Sequence, residues 1–258
     1  IIIIKIICIF LLIILISGFA GRRELNNLSI INLMWIDITK DGIYKVSVHI
    51  IKPSTGQGGQ PANAPGPGST IWVGEAQGKT VQEAIKNIRA KTSWLLIWSH
   101  CDVFVLGNTL CRKGIGSVID FLARNSEIRL TSNILSTDLE AWQILKHPPE
   151  EKKEPVADQI DGLIKNLSDW SKSYNMQLKD VLFRLAEGNQ DLVIGKLTLV
   201  PSSQVKKGQE SNNQEKSKNT LTKVLKMEGA CVFKKNKFVG YLSPIESRSY
   251  SRLLNDIK

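Results

Sequence analysis

The sequence predicts a mixed α/β protein, of the α+β kind, in which mixed sheets are flanked by helices. Apolar runs with a period of two alternate along the chain with apolar runs at helical spacing. A strand–helix–strand unit also follows an early hairpin. The 258 residues, 42% hydrophobic and 22% charged, can bury one or two cores, which excludes a disordered tail or a disulfide-stapled miniprotein.

Residues 1–20 are predicted to be a signal or anchor segment. Ile1–Ile16 is almost unbroken Ile, Leu and Phe with one charge, Lys5, and is shorter than the ~20 residues that span a bilayer. Ala20 ends a small-x-small sequence that suits cleavage. Three arrangements stay open: a lipoprotein-derived or anchored protein, a cleaved and secreted protein, and an uncleaved anchor.

An N-terminal α/β domain is predicted over residues 21–149. It opens with two strands, Ser29–Ile38 and Ile43–Lys52, joined by a tight turn at Thr39–Gly42. In the second strand apolar and polar residues alternate, so His49 is predicted to face solvent.

The rest of this domain alternates strands and helices, and two of its helices carry capping-box residues at their starts. The predicted elements are, in order, a loop over Pro53–Ser69, a strand over Thr70–Ala76, a helix capped by Thr80 and Glu83, strands over Trp94–Trp98 and Asp102–Leu106, a helix over Thr109–Asn125, a strand over Glu127–Leu135, and a short helix after Thr137 and Glu140.

A second, smaller α/β domain is predicted over residues 150–258, entered through the charged, proline-bounded connection Glu150–Pro155. Its predicted elements are an amphipathic helix over Ile160–Trp170, a helix over Leu178–Ala186 ended by Gly188, a strand over Asp191–Val200, a polar loop over Ser202–Asn219, a strand over Leu221–Met227, a hairpin over Val232–Val239, and a helix begun by Ser243 and Pro244 with Glu246 completing the cap.

The net charge of the chain is +10 at pH 7, from 34 Lys and Arg against 24 Asp and Glu. Such a surplus suits nucleic acid, an anionic membrane or an acidic partner. Much of it lies in Lys206–Lys226 and in Lys234-Lys235-Lys237, whose neighbours Phe233 and Phe238 fit core packing better than base stacking. Because export also argues against nucleic acid, we expect a solvated surface close to an anionic membrane.

Cysteine usage leaves the redox state open. Cys8 lies in the apolar start, so Cys101, Cys111 and Cys231 remain, an odd number that one chain cannot fully pair. Cys101 and Cys111 could bridge each other. Their apolar neighbours favour buried free thiols.

Two short stretches carry residue types that could form reactive sites. His100-Cys101-Asp102 could supply a Cys–His nucleophile or a metal site, but adjacent strand residues point to opposite faces. Gly114-Ile115-Gly116 lacks the Lys-Ser/Thr that follows a phosphate loop, so it is predicted to begin a helix or to pack closely. We therefore predict no catalytic, cofactor-binding or metal-ligating residues, and no cofactor.

Taken in order and spacing, several stretches resemble one known family, the Ger(x)C lipoproteins, which are the C subunits of bacterial spore germinant receptors. The resembling stretches are Ser17-Gly18, Arg22–Asn26, Ile36-Asp37, Asp41-Gly42, the Gly- and Pro-rich loop, Gly78–Thr80, Trp98–Gly107, Arg112–Ile115, Glu127–Thr131, Gly229–Leu242 and Glu246–Arg248.

The resemblance implies an exported, non-enzymatic subunit at the outer face of the spore inner membrane. Its expected partners are integral-membrane A- and B-type receptor subunits and the anionic membrane surface, and its role is in nutrient-triggered germination. Phe19 stands where the family has its lipidated cysteine, which removes that attachment point. The family continues into a third α/β domain, so we expect this chain to correspond to the first two domains of a longer protein.

Two other functions were considered from the residues. One is a secreted solute-binding protein, and the other is a secreted enzyme using His100 and Cys101.

Overall fold

The computed structural model describes residues 28–52, 70–145, 156–167, 173–188, 191–201 and 223–254, together with residues 3 and 5. The strands in these ranges are β1 (Leu28–Ile38), β2 (Tyr44–Lys52), β3 (Thr70–Gly78), β4 (Leu95–Ile97), β5 (Val103–Leu106), β6 (Asn133–Thr137), β7 (Met176–Gln177), β8 (Leu192–Pro201), β9 (Lys223–Lys234) and β10 (Lys237–Leu242). The helices are α1 (Val81–Arg89), α2 (Asn108–Lys113), α3 (Gly116–Arg124), α4 (Ala141–Leu145), α5 (Val156–Lys165), α6 (Leu178–Glu187) and α7 (Pro244–Leu253).

All ten of these strands join one sheet, in the order β10-β9-β8-β6-β5-β1-β2-β3, with β4 beside β1 and β7 beside β6. The four central strands β8, β6, β5 and β1 run parallel. Antiparallel hairpins extend the sheet on both sides, through β2 and β3 and through β9 and β10. The mixed sheet flanked by helices confirms the predicted fold class.

Helices cover both faces of this sheet. One core lies between the sheet and α1, α2, α3 and α6, and the other lies between the sheet and α4 and α5. Strand β1 therefore buries side chains on both of its faces, with Met34 and Ile36 in the first core and Leu33 and Trp35 in the second. Burial on both faces explains why β1 reads as a nearly continuous apolar run.

The predicted turn and the predicted caps of α1, α6 and α7 are present, but the cap predicted for α4 from Thr137 and Glu140 is wrong. The Thr137 hydroxyl accepts from the Leu139 amide, and the Glu140 amide donates to Gln143 Oε1 instead. Gly42 adopts a left-handed φ of 86° in the β1–β2 turn, where its amide donates to the Thr39 carbonyl at 3.0 Å. Gly188 ends α6 with a φ of 68°. Ser243 and Glu246 form the capping box of α7. Thr80 Oγ1 accepts from the Glu83 amide at 3.1 Å, as expected of the α1 cap.

The prediction that His49 faces solvent is wrong, because its side chain is only 1% exposed. Its face of β2 is covered, since its cross-strand partner Leu33 belongs to the core beneath α4 and α5. A β-bulge between Ile31 and Leu33 turns Asn32 toward the ring, and His49 Nδ1 donates to Asn32 Oδ1 at 2.8 Å.

Several predicted elements differ in extent. The helix predicted from Ile160 begins at Val156, and the strand predicted over Leu221–Met227 continues into the hairpin as the single strand β9. The strand predicted over Glu127–Leu135 starts only at Asn133, because the Ile128 amide donates to the Asn125 carbonyl in a turn. The helix predicted over Thr109–Asn125 is two helices, because Gly114 ends α2 with a φ of 118°.

The predicted boundary between residues 149 and 150 stays a prediction. The strands on its two sides hydrogen-bond in one sheet, since Ser136 and Thr137 of β6 pair with Lys196 and Leu197 of β8. The apolar start, the Gly- and Pro-rich loop and the Ser202–Asn219 loop lie outside the described residues.

Candidate basic interface

Helix α2 is positioned by a half-buried carboxylate at the carboxyl end of β1. Asp37 Oδ1 accepts from the amides of Ile38 and Leu110, each at 2.8 Å. Burial raises the pKa of the Asp37 carboxyl, and the two backbone hydrogen bonds oppose that rise. Gly107 lies against it so closely that a Cβ there would overlap the Asp37 side chain. The end of β5 and the start of α2 are therefore fixed against β1.

The β9–β10 hairpin meets α2 and α3 at its turn. Lys234 and Lys237 face each other across the two strands, with Lys235 and Asn236 as the turn residues. Lys235 has a φ of 58°, which a residue with a side chain adopts at some energetic cost. The Asn236 carbonyl accepts from the Ile115 amide at 3.3 Å. This bond holds the turn against the link between α2 and α3.

Side chains of α2 also contact β10 directly. The Arg112 guanidinium lies 5.1 Å from the centre of the Phe238 ring, a cation–π distance. Asn108 Oδ1 accepts from Arg112 Nε at 3.1 Å and from the Tyr241 hydroxyl at 2.6 Å. Burial raises the pKa of Tyr241 to about 12, so its phenol stays protonated and keeps donating. The start of α2 and strand β10 thus form one polar contact.

These contacts gather five exposed cations, which we call the basic interface. Its members are Arg112, Lys113, Lys234, Lys235 and Lys237. Within the described part of the chain no ion pair engages any of them. The adjacent β1–β2 turn adds one exposed charge of each sign, at Lys40 and Asp41, and so leaves the balance unchanged. Unpaired surface cations attract anionic surfaces, more strongly at low salt.

His100, Cys101 and Asp102 do not converge. His100 and Asp102 are exposed, while Cys101 is buried and its thiol donates to the Val103 carbonyl at 3.7 Å. Burial raises the pKa of the Cys101 thiol far above its ordinary value. Asp102 lies 3.9 Å from the Arg129 guanidinium. Across the described ranges no group of three or more His, Cys, Asp or Glu side chains is placed to share a metal ion.

The remaining predicted features are placed as follows. Gly116 begins α3, as expected, and its close neighbour is the Asn236 side chain of the hairpin turn. Phe233 is fully buried and Phe238 packs against the same core, which confirms the core-packing interpretation. Phe19 and most of Lys206–Lys226 lie outside the described residues.

Sequence reasoning found the hairpin lysines but missed that Arg112 and Lys113 join them. It also gave Asp37 no role. The available signal for Asp37 was a lone carboxylate near the end of a largely apolar strand, a position where a partly buried acid needs hydrogen-bond donors. No local pattern could place α2 beside a hairpin so distant in sequence.

The fold and this surface define an α/β protein with a cluster of exposed cations where α2 and its link to α3 meet the turn of the β9–β10 hairpin. Among the residues that the structure covers, no helix has both the length and the apolar composition needed to cross a membrane. The chain belongs to the spore germination protein N-terminal domain family, whose family model matches residues 21–199. This match confirms the resemblance and extends across the predicted boundary at residue 150.

Two curated relatives from Bacillus subtilis (strain 168) align over nearly the whole chain. Spore germination protein KC is 26% identical over 249 residues, which is 95% of this chain and 60% of the relative. YfkR, provisionally named as a spore germination protein, is 28% identical over 251 residues, which is 96% of this chain and 60% of the relative. The chain thus spans about 60% of the length of these relatives. No solved structure matches it.

Proposed function

We propose that this chain is a non-enzymatic, extracytoplasmic subunit of a nutrient germinant receptor. It acts in spore germination by assembling with the receptor's integral-membrane A- and B-type subunits at the outer face of the spore inner membrane. The observation that carries this proposal is the family match over residues 21–199, together with relatives named for spore germination that align with 95% or more of the chain.

The basic interface supports the membrane side of the proposal. Five exposed cations on α2 and the β9–β10 hairpin have no carboxylate partner among the residues described. Lysine and arginine contribute roughly 1 kcal/mol each when they lie close to an anionic lipid surface. A protein held at such a membrane by its receptor partners would gain orientation from this face.

The other candidate chemistry receives no support from the geometry. A Cys–His nucleophile needs the two side chains within hydrogen-bond reach, whereas the buried Cys101 thiol donates to the Val103 carbonyl and His100 is exposed. The proposal therefore assigns the chain a role through its surfaces.

The role in germination is tested by deletion. Spores lacking the gene for this chain are expected to respond poorly to at least one nutrient in a panel of amino acids, sugars and nucleosides, measured as the fall in optical density. Restoring the gene should restore the response. Unchanged germination with every nutrient, in a strain without a second copy of the family, would refute the proposal.

The basic interface is tested by removing charge. A triple variant on this face is compared with a control that removes three exposed lysines elsewhere. The test variant is Lys113→Gln, Lys235→Gln and Lys237→Gln, and the control is Lys79→Gln, Lys86→Gln and Lys179→Gln.

Binding is measured by flotation with phosphatidylglycerol vesicles, and with phosphatidylcholine vesicles as the neutral comparison. At about 1 kcal/mol per charge, the test variant should bind anionic vesicles about 100-fold more weakly than the parent at low salt. The control should lose far less. Equal losses in the two variants would show that only net charge matters, and would remove the basic interface from the proposal.

A further inference from the structure

One cation of the basic interface is held in a fixed orientation. Arg112 Nε donates to Asn108 Oδ1 at 3.1 Å, and the guanidinium carbon lies 5.1 Å from the centre of the Phe238 ring. One edge and one face of the guanidinium are therefore occupied. In the described part of the chain, the four lysines of the interface make no comparable contact through their ammonium groups. Arg112 thus differs from them in geometry as well as in chemistry.

Asn108 is itself held in place by Tyr241. Its Oδ1 also accepts from the Tyr241 hydroxyl, at 2.6 Å. The Tyr241 ring meets the Phe238 ring edge to face, with 5.0 Å between their centres. Lys196 Nζ lies 5.0 Å from the centre of the same Tyr241 ring. These contacts fix the Asn108 carboxamide, so Arg112 is oriented before it meets any ligand.

The outer end of the Arg112 guanidinium remains available to a ligand. The side chain is exposed, and among the residues described no carboxylate pairs with it and only its Nε donor is engaged. Its two terminal amino groups can therefore donate side by side to two oxygens of one anion. Such a fork suits phosphate, and an arginine that is already oriented loses less entropy on binding.

We propose that Arg112 binds the phosphate group of an anionic phospholipid through its two terminal amino groups, and that Asn108 and Tyr241 position it for this contact. The proposal rests on the membrane contact given under the proposed function. The four lysines lie on two elements, α2 and the β9–β10 hairpin, so they suit the neighbouring headgroups of a bilayer better than one free phosphate. The lysines attract the surface through net charge, whereas Arg112 makes a directed contact with one headgroup.

The experiment separates the geometry of Arg112 from its charge. Arg112→Lys keeps the positive charge but loses the fork of donors. The matched control is Arg124→Lys, which changes an exposed arginine of α3 that already pairs with Asp120 at 2.8 Å. Lys113→Arg is the reverse exchange at the neighbouring position. The full chain is used, and every variant keeps the same N-terminal residues, so their contribution to vesicle binding cancels in the comparison.

Binding to phosphatidylglycerol vesicles is measured by flotation over a range of salt concentrations. Arg112→Lys should bind about 10-fold more weakly than the parent, the effect of losing one charge-assisted hydrogen bond. The slope of log affinity against log salt concentration should stay the same, because the charge is retained. Lys113→Gln should reduce this slope as well as the affinity. Arg124→Lys and Lys113→Arg should bind like the parent.

The positioning role is tested by Tyr241→Phe, which removes the hydroxyl that donates to Asn108 and keeps the ring. This substitution should weaken vesicle binding in the parent. It should have no further effect in the Arg112→Lys background, because Tyr241 acts through Arg112. An equal loss in both backgrounds would overturn the positioning role. Thermal unfolding of each variant shows that the compared proteins are folded.

Inorganic phosphate tests the source of the phosphate group. At equal ionic strength it should release the parent from the vesicles no better than sodium chloride does. If phosphate releases the parent more effectively than chloride but does not do so for Arg112→Lys, the site binds free phosphate and the lipid assignment is overturned.

The proposal also fails if Arg112→Lys binds as tightly as the parent while Lys113→Gln binds more weakly. That result would leave the basic interface intact as a surface that acts through net charge. None of these measurements involves germination, so failure of the Arg112 contact and failure of the proposed function can be told apart.

Discussion

Acid should destabilise this protein through His49 before its surface carboxylates titrate. Burial lowers the pKa of His49 from 6.5 to about 4. Between these values the unfolded chain binds a proton that the folded chain does not, so the free energy of unfolding falls as the pH falls. At about 1.4 kcal/mol per pH unit, the loss is about 2 kcal/mol by pH 5 and about 3 kcal/mol by pH 4. The ring is 1% exposed, so solvent screens little of this effect.

The assay is urea denaturation at pH 7 and at pH 5 for the parent and two variants. His49→Gln removes the titrating group, so its stability should change by about 2 kcal/mol less than that of the parent over this interval. His100→Gln removes an exposed ring and should lose stability with falling pH as the parent does. A packing defect in His49→Gln that does not depend on pH lowers its free energy of unfolding equally at pH 7 and pH 5, so the difference between the two pH values is unaffected. Equal pH dependence in parent and His49→Gln would refute the reasoning.

Other substitutions test the packing and the caps. Gly107→Ala should lower the free energy of unfolding by about 2–3 kcal/mol, because the added Cβ overlaps Asp37. Gly162 lies on helix α5, and a Cβ added there would have nothing within 4 Å. Gly162→Ala should therefore raise the free energy of unfolding by about 0.5–1 kcal/mol. If the urea midpoints of Gly107→Ala and Gly162→Ala shift in the same direction, the steric argument is contradicted. Ser243→Ala should cost about 1 kcal/mol by removing the acceptor for the Glu246 amide. Ser243→Asp should retain most of that stability, and an equal loss in both would show that the cap contributes nothing.

Local structure was predictable where a few neighbouring residues decide it. Gly188 ends α6 because glycine adopts a left-handed φ without strain. Ser243, Pro244 and Glu246 begin α7 because they satisfy or avoid the free amides of its first turn. The β1–β2 hairpin follows from two apolar strands around Gly42.

Features that depend on distant pairing were not predictable. Alternation along β2 suggested one wet face, but His49 lies opposite Leu33 of the second core and is buried. Only part of the basic interface was predictable from the sequence. Lys234, Lys235 and Lys237 lie within four residues of one another, whereas α2 joins them only through tertiary contacts.

The placement of β9 and β10 at one side of the sheet has a consequence for the order of folding. Synthesis delivers a chain from its N-terminus, so α2 and the strand β1 that anchors it through Asp37 emerge well before β9 and β10. Until the β9–β10 hairpin arrives, α2 lacks the Phe238 ring that lies near Arg112 and the Tyr241 hydroxyl that donates to Asn108. The long-range pairing that completes the sheet is intrinsically slow to form. The maturing protein thus passes through an interval in which Arg112 and Lys113 lie apart from the hairpin lysines, and completion of the sheet assembles the basic interface.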